Sequence, residues 1–375
     1  MGNTASSPMT YPISNNRLSK IGHALRCPVT GSSLRQDGDT LISGENRSYP
    51  VINGVPVLLA PREKSTLWVV EASRKAALSD PENKWHEDTI GVSPEELAEL
   101  KSRLEKHQTH PEAIDPIISF LVAATSGHLY ADLKGTMQTI PIPDFRFPPM
   151  RHGELLLDIG CNWGRWSIAA AKSGYHVIGM DPSLGAVLAA QRLARDLGLD
   201  NISFIVADAL QLPFAPNTFD AIFSYSVLQH FSVENATTAL QQAAAVSRED
   251  ARLMIQMPNR FGVRCLYHLL KRGFRPPVEF DVRYYSPDML VKLFSSHYGE
   301  CELSVDGFFG LGIQASDKHL MSVPKKWIIS TSELLRKISL LIKPLTLLAD
   351  SLYVQAVRHQ ARPSATTSQP QITAY

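Results

Sequence analysis

The sequence predicts an open α/β fold in which parallel strands alternate with helices on both faces of one sheet. Three observations carry this. The apolar run Leu155-Leu156-Leu157 stops at Asp158 and passes through a turn, Ile159-Gly160-Cys161-Asn162-Trp163-Gly164, into the helix-compatible Ser167-Ile168-Ala169-Ala170-Ala171. A second apolar run, His176-Val177-Ile178-Gly179-Met180, ends in Asp181, one strand–helix–strand unit further on. The alternation then repeats, with strands expected near 154–159, 175–180, 202–206, 219–224 and 252–257 and helices near 165–173, 184–197, 235–247 and 286–296.

In chain order, residues 1–22 read as a disordered polar leader, rich in Ser, Asn and Pro and without the apolar stretch of a secretory signal. Met1-Gly2-Asn3-Thr4-Ala5-Ser6 fits an N-acylation pattern, but a plain polar leader is the preferred reading. Residues 23–61 form a compact β unit, because Pro50-Val51-Ile52 and Val55-Pro56-Val57-Leu58-Leu59 flank the turn pair Asn53-Gly54. Residues 62–150 read as a helical lid and linker. Ser93-Pro94-Glu95-Glu96 opens one helix, Ile117, Ile118, Leu121 and Val122 mark another, and a Pro-rich run follows at 140–149. The main domain spans 151–358, closing with strands near 300–306 and 351–357 around a markedly apolar helical insertion at 317–348. That insertion suits the substrate cleft or a subunit contact, with attachment to a membrane surface as the sharper alternative. Residues 359–375 are a polar, disordered tail.

Composition narrows the class. With 44% hydrophobic and 19% charged residues over 375 positions, the chain is globular and long enough for two domains or one elaborated domain. A net charge of +1 gives no general attraction for nucleic acid, and no basic–aromatic interleaving suggests one. Cys27, Cys161, Cys265 and Cys301 are scattered, which fits neither a disulfide framework nor paired metal ligands and points to the cytoplasm. No apolar run is long enough to span a bilayer.

The turn after Asp158 selects a cofactor. A dinucleotide loop needs Gly-x-Gly-x-x-Gly for close approach of a pyrophosphate, and an acid at the mouth of the turn repels phosphate. S-adenosylmethionine carries an ammonium and a sulfonium and no phosphate, so an acidic entry suits it. At these residues the chain resembles the class I S-adenosylmethionine-dependent methyltransferases, of the small-molecule, ubiquinone-biosynthesis-like type. Their first motif, acid-x-Gly-x-Gly-x-Gly, corresponds to Asp158-Ile159-Gly160-Cys161-Asn162-Trp163-Gly164, with Asn162 in place of the middle glycine. The likeness continues through Asp181, Val206-Ala207-Asp208-Ala209 and Phe219-Asp220-Ala221-Ile222-Phe223-Ser224-Tyr225-Ser226-Val227-Leu228-Gln229-His230, covering about 150 to 310.

The resemblance implies a seven-stranded Rossmann-like sheet and S-adenosyl-L-methionine as cofactor. It implies that Asp181 accepts from the ribose hydroxyls and Asp208 from the adenine amino group. Gly160 and Gly164 would let the backbone approach, and Asp158 would help organise the ammonium. Cys161, Asn162, Pro182, Ser183, Ala209 and Ser224 complete the cofactor set. His230 stands where a general base or a packing ring is wanted, its reference pKa lying near neutrality. Tyr225, Gln229, Arg283, Tyr284 and Tyr130 are the candidate acceptor contacts, while Trp163 and Trp166 fill space beneath the turn.

Residues 23–61 also resemble a small zinc-ribbon-like module. Cys27-Pro28 and Tyr49-Pro50-Val51 match its pattern, but Thr30, Ser43 and Asn46 stand at the other ligand positions, and one thiolate cannot hold a structural zinc. No metal is therefore expected. The function these features imply is methyl transfer to an O or N atom of a small-molecule, lipid-linked or glycan acceptor. The alternatives are a methyltransferase acting on RNA or a translation protein, and a non-catalytic cofactor-binding scaffold.

Overall fold

The computed structural model describes residues 21–61, 68–109, 114–126, 128–134, 137–151, 153–310 and 314–358. The leader as far as residue 20, with its acylation pattern, and the 359–375 tail lie outside the described residues.

Four short strands come first: β1 (Leu34–Asp37), β2 (Thr40–Ser43), β3 (Ser48–Ile52) and β4 (Val55–Leu58). The β3–β4 hairpin turns at Asn53 and Gly54, both at positive φ, as a tight two-residue connection requires. Helices α1 (Trp68–Ser79), α2 (Pro94–Thr109) and α3 (Pro116–Thr125) follow. Ser93 and Glu96 cap the start of α2 reciprocally, and the Asp115 carboxylate accepts from Ile117 N–H and Ile118 N–H at the start of α3. The main domain then runs β5 (Leu155–Ile159), α4 (Arg165–Lys172), β6 (His176–Asp181), α5 (Leu184–Asp196), β7 (Ile202–Ala207) and β8 (Phe219–Tyr225). It continues through α6 (Val233–Val246), β9 (Ser247–Pro258), α7 (Val263–Lys271), α8 (Pro287–His297), β10 (Cys301–Gly307), α9 (Val323–Ser339) and β11 (Ser351–Val357).

All the strands join one mixed sheet in the order β1-β2-β3-β4-β7-β6-β5-β8-β9-β11-β10. From β4 to β9 every pairing is parallel, and β11 lies antiparallel between β9 and β10. The chain steps outward one way through β5, β6 and β7, then returns to the other side of β5 with β8. That reversal leaves a crevice at the carboxyl ends of β5 and β8, where open α/β sheets bind ligands.

Side chains alternate between two cores. Leu156, Val177 and Phe223 join the face covered by α3, α4 and α5, whereas Leu157, Ile178 and Ile222 join the face covered by α6 and α8. Every one of these six is at most 2% exposed, so both faces are dry, as a parallel sheet demands.

The seven-stranded sheet with a separate β module is corrected to eleven strands. β4 pairs in parallel with β7, Val57 opposite Val206 and Leu58 opposite Ala207. The reason is in its composition: Val55, Val57 and Leu58 are apolar on both faces, and only a place inside the larger sheet buries both, to at most 2% exposure. The zinc-ribbon likeness finds no support in these residues. Cys27 Sγ lies 3.1 Å from the Tyr49 hydroxyl, and Thr30 and Ser32 donate to Glu45. Among the described residues there is no group of three or more His, Cys, Asp or Glu able to hold a metal.

Two features were not anticipated in the sequence: the β1–β2 hairpin and α7. Deleting residues 1–61 uncovers the β7 edge and its apolar neighbours, so the truncated chain is expected to aggregate on expression. Size-exclusion chromatography checks this, and a monodisperse truncated protein with unchanged melting temperature would contradict the shared sheet.

Candidate active site

The turn between β5 and α4 sets the geometry. Gly160, Asn162 and Gly164 all have positive φ, of 78°, 49° and 85°. Asn tolerates this better than other side-chain-bearing residues, and here its Oδ1 accepts from Trp163 N–H at 2.9 Å. The departure from the glycine pattern at Asn162 is thus conformationally equivalent. At Gly160 a Cβ would lie 2.2 Å from Val227 Cγ2, and at Gly164 it would lie 2.9 Å from Ala190 Cβ. The turn is fastened to β6 by Gly160 N–H and Cys161 N–H, which donate to the Met180 carbonyl at 2.8 and 2.9 Å.

Asp181 closes β6 beside this turn. Its Oδ2 accepts from Asn162 N–H at 3.0 Å and its Oδ1 from Ser183 N–H at 2.9 Å. Each oxygen keeps a further lone pair. Burial pushes its carboxyl up to about 6, against the pull of those two N–H groups. Asp158, 1% exposed, points beneath the turn and accepts from Ser167 Oγ at 2.5 Å. Burial pushes Asp158 up to about 7, with the Ser167 hydroxyl opposing and the Asp181 charge adding.

Above these residues opens a cavity of about 1360 Å³. Gly160, Cys161, Asn162, Asp181, Pro182, Ser183, Asp208 and Ala209 lie along one side of it. Tyr225, Gln229, His230 and Tyr284 also line it. Ser183 caps α5 by accepting from Ala186 N–H, and Asp208 holds a tight turn by accepting from Leu210 N–H. The Cys161 thiol, buried beside Asp181 and Asp158, is driven well above its usual range, so it stays protonated.

Five of the anticipated residues stand off the cavity wall. Asp158 is beneath the turn, and Gly164 is packed against Ala190 and Phe204. Ser224 is fully buried and donates to the Ile159 carbonyl at 2.8 Å. Tyr130 is 1% exposed, its hydroxyl donating to Asp317 while accepting from Arg165 at 2.8 Å. Arg283 is spent on the carbonyls of His230, Glu279 and Asp281. These last two brace the site and do not face it.

His230 is held firmly. Its Nδ1 donates to the Phe280 carbonyl at 2.7 Å, and its ring stacks on Phe280 at 3.9 Å. Nε2 is therefore the acceptor, 3.2 Å from Gln229 Nε2. Burial lowers this imidazole to about 4, so it is neutral at physiological pH. Gln229 Oε1 is buried with no hydrogen-bond partner.

The sequence did not single out several other lining residues. Ser226, at φ 60°, is held by Gln256 and takes the place anticipated for Ser224. Arg264 and His268 come from α7 and Arg272 from the residue that caps its end; the only local signal of this helix is the spacing of Val263, Leu266, Leu269 and Leu270 after a Gly. Trp68, Ser126 and Leu129 come from the helical lid. The Trp166 ring, expected only as filler, also reaches the wall, 4.5 Å from Tyr225.

With this geometry in place, the comparisons with known proteins converge. Residues 156–250 match the family model described as a methyltransferase domain, and the cofactor of that domain is S-adenosylmethionine. The chain is similar to O-methyltransferase resE of Aspergillus sclerotiorum, 32% identical over 105 residues that cover 28% of this chain and 39% of that protein. It is also similar to a demethylmenaquinone methyltransferase of Thermobifida fusca, 29% identical over 146 residues that cover 38% of this chain and 61% of that protein. It thus spans between 39% and 61% of the length of these two relatives. Among solved structures, the YcgJ protein of Bacillus subtilis aligns with 56% of this chain and 94% of its own, at 20% identity and a TM-score of 0.40.

Two outcomes follow from this geometry. Gly160→Ala forces a Cβ into Val227 at positive φ and is expected to cost about 2 to 5 kcal/mol of stability. Denaturant titration checks this, with partial recovery on adding Val227→Ala. The folded-state values of about 7 for Asp158 and about 6 for Asp181 lie above their ordinary 3.8. The native state therefore binds more protons than the unfolded chain across roughly pH 4 to 7, so these two groups make stability fall as pH rises through that window. His230, lowered to about 4 from 6.5, acts in the opposite sense, its contribution shrinking as pH falls between those values. Asp158→Asn should flatten the decline between about pH 5 and 7, measured by denaturation of the unliganded protein. An unchanged slope would contradict the buried position of Asp158.

Proposed function

We propose that this protein transfers a methyl group from S-adenosylmethionine to an O or N atom of a small-molecule, lipid-linked or glycan acceptor. The observation that carries the proposal is the Asp181 carboxylate, fixed by Asn162 N–H and Ser183 N–H at the cavity wall beside the positive-φ turn. Both its oxygens retain accepting capacity for a vicinal diol. Asp208 and Ala209 stand further along the same wall, suited to the adenine edge. The glycine at 160, where a Cβ has no room, suits close approach of the cofactor to the backbone.

The cofactor supplies the electrophilic methyl, so the protein's task is to orient the acceptor, exclude water and receive one proton. The helical lid, Trp166 and Tyr225 shield the crevice. His230 Nε2 is a neutral acceptor held by the Gln229 side-chain amide, so it receives a proton only once that amide turns away; its other nitrogen is fixed on Phe280. A base held near 4 takes a proton only as the acceptor acidifies, which suits a hydroxyl or amine that loses its proton after methyl transfer begins. Gln229 and Tyr284, which line the cavity, are candidates to position that acceptor. Among the described residues no helix is long and apolar enough to cross a membrane.

Calorimetric titration with S-adenosylmethionine tests the reading. Wild type is expected to bind, and Asp181→Ala to bind roughly ten- to hundred-fold more weakly, the value of about 1.5 to 3 kcal/mol for a bond to a charged group. A folded wild type that binds neither S-adenosylmethionine nor S-adenosylhomocysteine would remove the methyltransferase reading and leave the scaffold.

A further inference from the structure

On α7 the inward positions are Cys265 and Leu269, at 3% and 0% exposure, and the cavity-facing ones include Arg264 and His268. The remaining face should be polar and is not. Val263, Leu266, Tyr267 and Leu270 are spaced as one stripe on a helix, and all are at least 40% exposed. Phe261, Phe274 and Val278 extend the apolar surface at either end, each more than 40% exposed.

The 317–348 insertion repeats the pattern. Val323, Trp327 and Leu334 share one side of α9 and are 67%, 71% and 58% exposed. Beyond the helix, Leu340, Leu341, Ile342, Leu347 and Leu348 are 50% to 88% exposed. The two regions abut. Asn259, just before α7, donates through its side-chain amide to the Leu347 and Ala349 carbonyls at 2.9 and 2.8 Å. Asp350 then accepts from Arg264 N–H and Cys265 N–H at the first turn of α7.

Charge separates the candidate occupants. Segments 260–275 and 323–348 together hold ten of the 37 Lys and Arg residues but only one of the 36 Asp and Glu residues, Glu333. That one acid is engaged by Arg146 and Arg336. Lys325 and Arg272 pair with Asp132 and Asp281 from outside these segments and Arg336 pairs with Glu333, and in a protein whose net charge is +1 the face still keeps an excess of cations. Protein interfaces deplete Lys, which supplies five of these ten cations beside five Arg, and nucleic-acid sites do not present a field of Leu, Val and Trp. Apolar side chains ringed by Lys and Arg, with a Trp among them, are the chemistry of an anionic lipid surface.

We propose that α7 and the 323–348 insertion form a docking surface for an anionic membrane. Leu266, Leu270, Trp327 and Leu341 enter the interfacial layer, and Lys271, Arg275, Lys326 and Lys343 lie at headgroup level. Because Arg264 and His268 line the cavity from the same helix, the docked protein holds that side of the cavity close to the bilayer. If the methyl-transfer reading holds, the acceptor is then an amphiphile drawn from the membrane; docking itself does not depend on that reading.

Flotation of the full-length protein with phosphatidylcholine vesicles, with and without phosphatidylglycerol, tests this. At low salt the protein is expected to float at least about ten-fold more with the anionic vesicles, and to be released by high salt. The pairs Leu266→Glu with Leu270→Glu, and Trp327→Glu with Leu341→Glu, should each reduce flotation about ten-fold or more. Their circular dichroism and S-adenosylmethionine titration, which report the fold and the cofactor site separately, should be unchanged. The blue shift of tryptophan emission on vesicle addition should disappear in Trp327→Phe. Absence of flotation, equal flotation with neutral vesicles, or undiminished flotation of the folded variants would overturn the proposal. So would a dimer in solution that the same substitutions dissociate without any vesicle binding, since the face would then be a contact between copies.

Discussion

The hydrogen bond from Asn162 N–H to the Asp181 carboxylate joins the two features on which the site depends. One is a turn with three positive-φ residues between β5 and α4, and the other is the acid that ends β6. Two N–H groups of that turn bond the Met180 carbonyl, so the loop follows the end of β6 and cannot drift from it. Gly160 is pressed against Val227 after β8. The turn is therefore clamped between the strands on either side of β5, at the point where the sheet reverses its winding. Move any of these backbones by an ångström and the crevice loses its floor.

The lid is tied to the same place. Gly185 N–H donates to Thr89 Oγ1 and Ser183 Oγ donates to the Thr89 carbonyl. A Cβ on Gly185 would sit 2.4 Å from the His86 carbonyl. The start of α5, immediately after Asp181, is thereby bound to the segment between α1 and α2. Two buried polar clusters fasten the remainder. Arg165 and Tyr130 meet Asp317, joining α4 to the lid and to the turn before α9. Tyr225 and Ser351 both donate to Asp306 at 2.7 Å, joining β8, β10 and β11. Buried ionic groups of this kind add little net stability, because desolvation offsets their attraction, but losing one partner is costly. Here they tie lid, turn and insertion to one another around the cavity.

Much of this was legible in the sequence for definite reasons. A parallel strand buried on both faces must be a short apolar run, so β5, β6, β7 and β8 announce themselves, and an acid ending such a run before a glycine turn is hard to produce otherwise. The missing information was relational. Nothing local in Val55-Pro56-Val57-Leu58 says that β4 will lie beside β7 and not remain in a separate module. Tyr130 and Arg283 have the right chemistry for a substrate contact, but their partners, Asp317 in one case and a set of backbone carbonyls in the other, are far away in sequence or carry no side-chain signal. The α7 helix was hidden because its apolar stripe faces outward, so its periodicity describes a surface and not a core.

The account's central claim is that the Asp181 rim and the positive-φ turn form an S-adenosyl cofactor site. A crystal structure of the protein with S-adenosylhomocysteine tests it most directly. The account predicts ribose hydroxyls on the Asp181 carboxylate, the adenine against Asp208 and Ala209, and the sulfur directed toward Tyr225 and His230. Density for the ligand anywhere else, or a cleft that stays empty at saturating ligand, would contradict it.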